Sequence, residues 1–130
     1  MSLVDRIPTD RLVLRGHTLQ DFDALHAMWS ELAVYRHIIG RPSTREEAWN
    51  RLLRYAGHWE LLGYGYWVVE ERATGSYVGE MGFADYHRDI DPPLDGRPEF
   101  VIYGCDATLR LFVARALERD DTFSVMMLEQ

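Results

Sequence analysis

The chain has 130 residues, of which 47% are apolar and 27% charged, a composition that suits one globular domain and excludes compositional disorder. Its net charge of −7 comes from 21 acidic residues against 14 basic ones, all arginine. That balance argues against a phosphate-tracking nucleic-acid surface, and the lack of lysine excludes a Schiff-base or P-loop lysine.

Residues 11–15 alternate polar and apolar side chains after Pro8 and predict a half-buried strand. Thr18 precedes a segment in which Phe22, Leu25, Trp29 and Leu32 share one helical face, with Asp21 completing a weak capping box. Residues 34–42 read as a loop. Ser43-Thr-Arg-Glu46 then starts a second amphipathic helix, with Ala48, Leu52, Tyr55 or Ala56, Trp59 and Leu62 on its stripe and Gly63 as its stop.

Residues 66–72 and 77–83 are rich in aromatic and β-branched side chains, and the Gly-containing turn between them predicts an antiparallel hairpin. Three prolines and three aspartates make 89–98 an exposed loop, and 99–103 a fourth strand. A helical stripe at 109–117 follows, with Asp106 as N-cap, and then a short apolar run at 122–128.

Cys105 is the single cysteine, so no intrachain disulfide forms, and it reads as an inert thiol. With one cysteine a reducing cytoplasm is the expected location, and no uncharged run approaches the roughly 18 residues of a membrane span, so no membrane contact is expected. The five histidines never form His-x-x-x-His, which predicts no metal site. Gly63-Tyr-Gly65 precedes a strand instead of following one, so it reads as a turn without a nucleotide.

Pro8-Thr-Asp-Arg-Leu-Val-Leu-Arg15, Ser43-Thr-Arg-Glu-Glu-Ala48, Tyr66-Trp-Val-Val-Glu70, Tyr77-Val-Gly-Glu-Met-Gly82 and Pro98-Glu-Phe100 occur in that order. Together they resemble the GNAT superfamily of acetyl-coenzyme A dependent N-acetyltransferases, and within it the branch that acetylates ribosomal-protein N-termini and its small-molecule relatives. The resemblance covers about residues 8–100. It implies an α/β fold, a mixed and mainly antiparallel sheet flanked by helices, in one domain over 1–130 that is incomplete after about residue 104.

The activity it implies is transfer of acetyl from acetyl-coenzyme A to a primary amine of a peptide N-terminus or small molecule, by attack of the amine on the thioester. That reaction needs a base for the ammonium and amides for the oxyanion. By resemblance Glu99 and Glu80 are candidate bases, each with the alternative of a solvated carboxylate at a strand edge. Val101, Ile102, Tyr103 and Gly104 stand where the family presents backbone to its cofactor. Trp29, Tyr35 and His37 fall where this branch forms its acceptor pocket, although Trp29 also fits core packing and Tyr35 and His37 also fit a surface loop.

The family's Arg/Gln-x-x-Gly-x-Gly/Ala turn, whose N–H groups cradle the pyrophosphate, is absent. Gly104 alone is present, and Asp106 sets a negative charge there. A truncated paralogue or a reading-frame change after Phe100 would each account for this departure. The alternative from a different class is therefore an inactive GNAT-like module that binds a partner or forms a homodimer, for instance by strand exchange.

Overall fold

The computed structural model describes residues 6–36, 38–93 and 95–104. The expected helix at 109–117, the run at 122–128, Asp106, Cys105, His37 and the expected incompleteness after residue 104 lie outside these described residues.

Residues Leu12–Arg15 form β2, where Leu12, Val13 and Leu14 are all buried because both faces of the sheet are covered. A short strand not read from the sequence, β1 at Ile7–Pro8, pairs with it through Ile7 opposite Leu14. The predicted hairpin is present as β3, Tyr66–Glu71, and β4, Tyr77–Ala84, and the fourth predicted strand is β5, Glu99–Gly104. The sheet runs β1-β2-β3-β4-β5 in sequence order, and every pairing among the described residues is antiparallel. A register shift between Val69 and Glu70 bends β3 against β4.

The helical face differs from expectation at its first helix. α1 covers Phe22–Trp29 and stops at Ser30, whose hydroxyl donates to the His26 carbonyl at 2.8 Å. The chain turns through extended Glu31 into a short α2, Leu32–Tyr35, so Val34 is buried in place of Leu32, which is 60% exposed. Helix α3, Arg45–Leu62, begins one residue later than the sequence suggests. Its capping box is Thr44 with Glu47, where Thr44 Oγ1 accepts from the Glu47 amide at 3.1 Å and Glu47 Oε1 accepts from the Thr44 amide at 2.9 Å. Ser43 is displaced from the cap because it is itself buried. Gly63 ends the helix in the left-handed conformation, φ 77°, and donates to the Trp59 carbonyl.

Two apolar clusters cover the two faces of the sheet. On one face Leu25, Met28 and Trp29 of α1 meet Ala48, Leu52 and Tyr55 of α3 over Tyr66 and Ala84. On the other, Leu12, Leu14, Trp67, Val69 and Met81 pack with Trp59 and Ile102. The predicted α3 stripe is therefore buried through Tyr55 and fades to exposure at Leu62. No helix among the described residues is long and apolar enough to cross a membrane.

Candidate functional site

Where α1 and α3 cross the sheet, the side chain of Glu80 is buried in the middle of β4, with no exposed surface. A carboxylate survives there only if its lone pairs are filled. Four donors do so. The Trp29 indole N–H and the Tyr55 hydroxyl donate to Oε1 at 2.8 and 2.6 Å, and the Tyr77 hydroxyl donates to Oε2 at 2.8 Å. His17 Nε2 lies 3.2 Å from Oε2, with its ring against Tyr55 and its Nδ1 buried without a partner among the described residues. Burial alone would push Glu80 up, but the hydrogen bonds and charge of His17, with those of Tyr55 and Tyr77, hold it below the ordinary carboxylate range. Tyr55 and Tyr77 are driven well above theirs by burial and then by the Glu80 charge, so both stay protonated donors.

A second ionic knot lies nearby. The Arg15 guanidinium donates twice to Asp21, at 2.8 and 2.7 Å, and once to Glu70 at 2.6 Å. Asp21 also accepts from the Thr18 amide at 2.7 Å, so the weak capping box exists with Asp as its acid. Burial would raise Asp21, but Arg15 and the Thr18 amide outweigh it and lower it.

A cavity of about 250 Å³ opens between α3 and the end of β4. Its walls are Arg54, Tyr55 and His58 from the helix, Tyr66 from β3, and Ala84, Asp85 and Tyr86 from β4 and the turn after it. The hydroxyls of Tyr66 and Tyr86 are hydrogen-bonded to each other, and His58 Nδ1 takes the Tyr64 carbonyl as partner at 2.6 Å while Nε2 accepts from the Asp85 amide. Tyr55 belongs to both sites: its ring lines the cavity and its hydroxyl reaches Glu80.

The structure brings Glu80 and Trp29 into direct contact and buries both, so Glu80 is not the solvated carboxylate that the sequence left open, and Trp29 packs in the core as its apolar stripe allowed. Glu99 starts β5 opposite Ala84, half-buried, with its carboxylate held by Arg88 Nε at 2.9 and 3.0 Å. Tyr35 ends α2 half-buried, in a helical turn where a loop was expected. Val101, Ile102, Tyr103 and Gly104 pair with Gly82, Met81, Glu80 and Gly79, and among the described residues β4 is the only partner of β5. Alternate backbone groups of such a strand point away from its neighbour, which is what an extended amide-bearing ligand needs. Tyr103 also packs edge-on to Trp29, and burial pushes its hydroxyl up to about 12. Sequence reading missed His17, Tyr55 and Tyr77; the signal available was an acidic residue inside a strand flanked by glycines, a position whose burial obliges partners.

The acetyltransferase (GNAT) domain family matches residues 11–112, past the limit of about 100 suggested by the motifs. A protein described as a GnaT-family acetyltransferase from Bordetella pertussis is 29% identical, with a TM-score of 0.67 over 76% of this chain and 59% of its own. Acetyltransferases from Bacillus anthracis (GNAT family) and Agrobacterium tumefaciens, each 20% identical, share the fold with TM-scores of 0.58 and 0.61. They are covered over 53% and 68% of their length, by 77% and 94% of this chain, so the chain spans between about half and two thirds of these structures.

Proposed function

We propose, for a chain that belongs to the GNAT acetyltransferase family, that it moves an acetyl group from acetyl-coenzyme A to a primary amine of a small molecule or peptide N-terminus. The family match over residues 11–112 carries this reading. What supports the fit to acetyl-coenzyme A is β5, whose residues Val101, Ile102, Tyr103 and Gly104 form a half-buried outer strand among those described and end in a residue without a side chain. Backbone of that strand would hold the pantetheine amides.

Acetyl-coenzyme A supplies an activated thioester carbonyl. The amine nitrogen forms the new C–N bond, the C–S bond breaks, and the ammonium proton must leave before attack. In this reading half-buried Glu99, held by Arg88, receives that proton through water, since its strand partner Ala84 lies in the cavity wall although Glu99 itself does not. Glu80 keeps the Tyr55 hydroxyl fixed in one direction and meets the cavity only through that hydroxyl. Trp29, Tyr35 and His37 are assigned to the acceptor side, Trp29 as a wall held by Glu80.

Release of free thiol from acetyl-coenzyme A, followed across a panel of primary amines, tests the reading. Amine-dependent release that falls at least about tenfold in Glu99→Gln is expected, in line with the contribution of a general base. Thiol release that no amine accelerates would overturn it and turn attention to a binding module.

A further inference from the structure

Helix α3 carries Arg51, Arg54, Tyr55 and His58 at positions i, i+3, i+4 and i+7, which share one face. Arg54, Tyr55 and His58 line the cavity. Arg51 lies one turn earlier and half-buried, its guanidinium 3.6 Å from the centre of the Trp29 ring and its Nη1 3.4 Å from the Tyr55 hydroxyl. Arg54 lies over the Tyr55 ring at 5.6 Å.

Ion pairs among the described residues occupy Arg15, Arg41, Arg45 and Arg88, whereas Arg51 and Arg54 take part in none of them. The acid on the Tyr55 hydroxyl and the acid in the cavity wall are already taken. Glu80 has its four donors, and Asp85 accepts the Gly96 amide at 2.9 Å and the His87 amide at 3.2 Å within its own loop. A guanidinium has five N–H donors, and among the described residues half-buried Arg51 spends them on one long bond to the Tyr55 hydroxyl, beside its stacking on Trp29. Half-buried Arg51 and exposed Arg54, the latter in the cavity wall together with Asp85, place two cations against one acid there in a chain of net charge −7.

We infer that the acceptor amine also carries a carboxylate, which Arg51 and Arg54 bind while the rings of Tyr55, Tyr66 and Tyr86 enclose the body of the molecule. Planar guanidinium donors match a carboxylate in pairs. The cavity, at about 250 Å³, is below the size of drug-scale sites and suits a molecule on the scale of one amino acid. The inference rests on the acetyl-transfer reading and narrows its substrate class.

Calorimetric titration of the whole chain with L-phenylalanine and with L-phenylalaninamide, at about pH 6 where both amines are cationic, isolates the carboxylate. The acid is expected to bind about tenfold or more tighter than the amide, the value of one charge-assisted hydrogen bond. That preference should fall to near unity in Arg51→Gln, shrink in Arg54→Gln and return in part in Arg51→Lys. Should Arg51→Gln fail to fold, the ligand pair on the unaltered chain and on Arg54→Gln still decides. Equal binding, tighter binding of the amide, no binding of either, or a preference that survives both glutamine substitutions each overturns the inference. Thiol release on the same sample separates the two claims: an amide acetylated as fast as its acid sinks the carboxylate site and leaves acetyl transfer standing. An acid preference without thiol release sustains the anion site while acetyl transfer fails.

Discussion

Replacing Glu80 by Gln keeps the volume of the buried side chain and removes one acceptor and the charge. The carboxylate serves four donors on two oxygens. If the amide oxygen keeps Trp29 and Tyr55, its NH₂ group faces the Tyr77 hydroxyl and His17 Nε2. Tyr77 can rotate to accept, whereas His17 must give up its Nε2 proton. Two charge-assisted bonds at about 1.5–3 kcal/mol each are lost, offset in part by Tyr77 turning and by the desolvation cost that a neutral amide avoids. The expected net loss is about 2 kcal/mol, or several degrees in the midpoint of a domain this size. Urea unfolding followed by tryptophan fluorescence measures it. Tyr55→Phe should then cost less in the Gln background than in the parent, because the bond it removes has lost its charged acceptor. A Glu80→Gln variant within about 0.5 kcal/mol of the parent, with Tyr55→Phe costing the same in both, would refute the reasoning.

The same network sets the acid limb of stability. Glu80 and Asp21 are both held below their ordinary values in the folded chain. Their contribution is therefore complete above the unfolded value near 4 and is lost as pH falls through the folded values. The urea midpoint should be flat between about pH 7 and 5 and drop below about pH 4, more shallowly in Glu80→Gln; a midpoint unchanged to about pH 3 contradicts this. Thr44→Ala removes the acceptor of the Glu47 amide and should cost about 1 kcal/mol at neutral pH in the same assay. Gly82→Ala should be severe, more than about 2 kcal/mol. A Cβ there would lie 2.2 Å from the Gly65 carbonyl oxygen and 2.6 Å from Tyr66 Cα, both backbone that cannot step aside without breaking the β3–β4 ladder. A stable variant of unchanged far-ultraviolet spectrum would disprove that packing.

The hairpin, β5, α3 and the exposed loop were legible because each shows in a local signal: β-branched and aromatic runs, a helical stripe ended by Gly63, and a Pro-Asp cluster. The break in α1 was not, since Leu32 continues the apolar spacing while the helix closes on the Ser30 hydroxyl over the His26 carbonyl and on the Ser30 and Glu31 amides over the carbonyls of Ala27 and Met28. The one-residue shift of the α3 cap has a similar origin: Ser43 and Thr44 are both competent caps, each followed three residues later by Glu, and burial of Ser43 decides between them. Glu80 was picked out as a residue, but its environment was hidden. Its neighbours Gly79, Met81 and Gly82 are buried as well, so β4 lacks the alternation that tells an inward carboxylate from an outward one. Its partners come from sequence positions 17, 29, 55 and 77, which the fold alone brings together.

The central claim is that this chain acts on acetyl-coenzyme A, and the thermal midpoint with and without millimolar acetyl-coenzyme A tests it most directly. A ligand at about 100 times its dissociation constant stabilises the folded state by roughly 2.7 kcal/mol. The account predicts a rise of several degrees, and a midpoint that does not move at any concentration of acetyl-coenzyme A would contradict it.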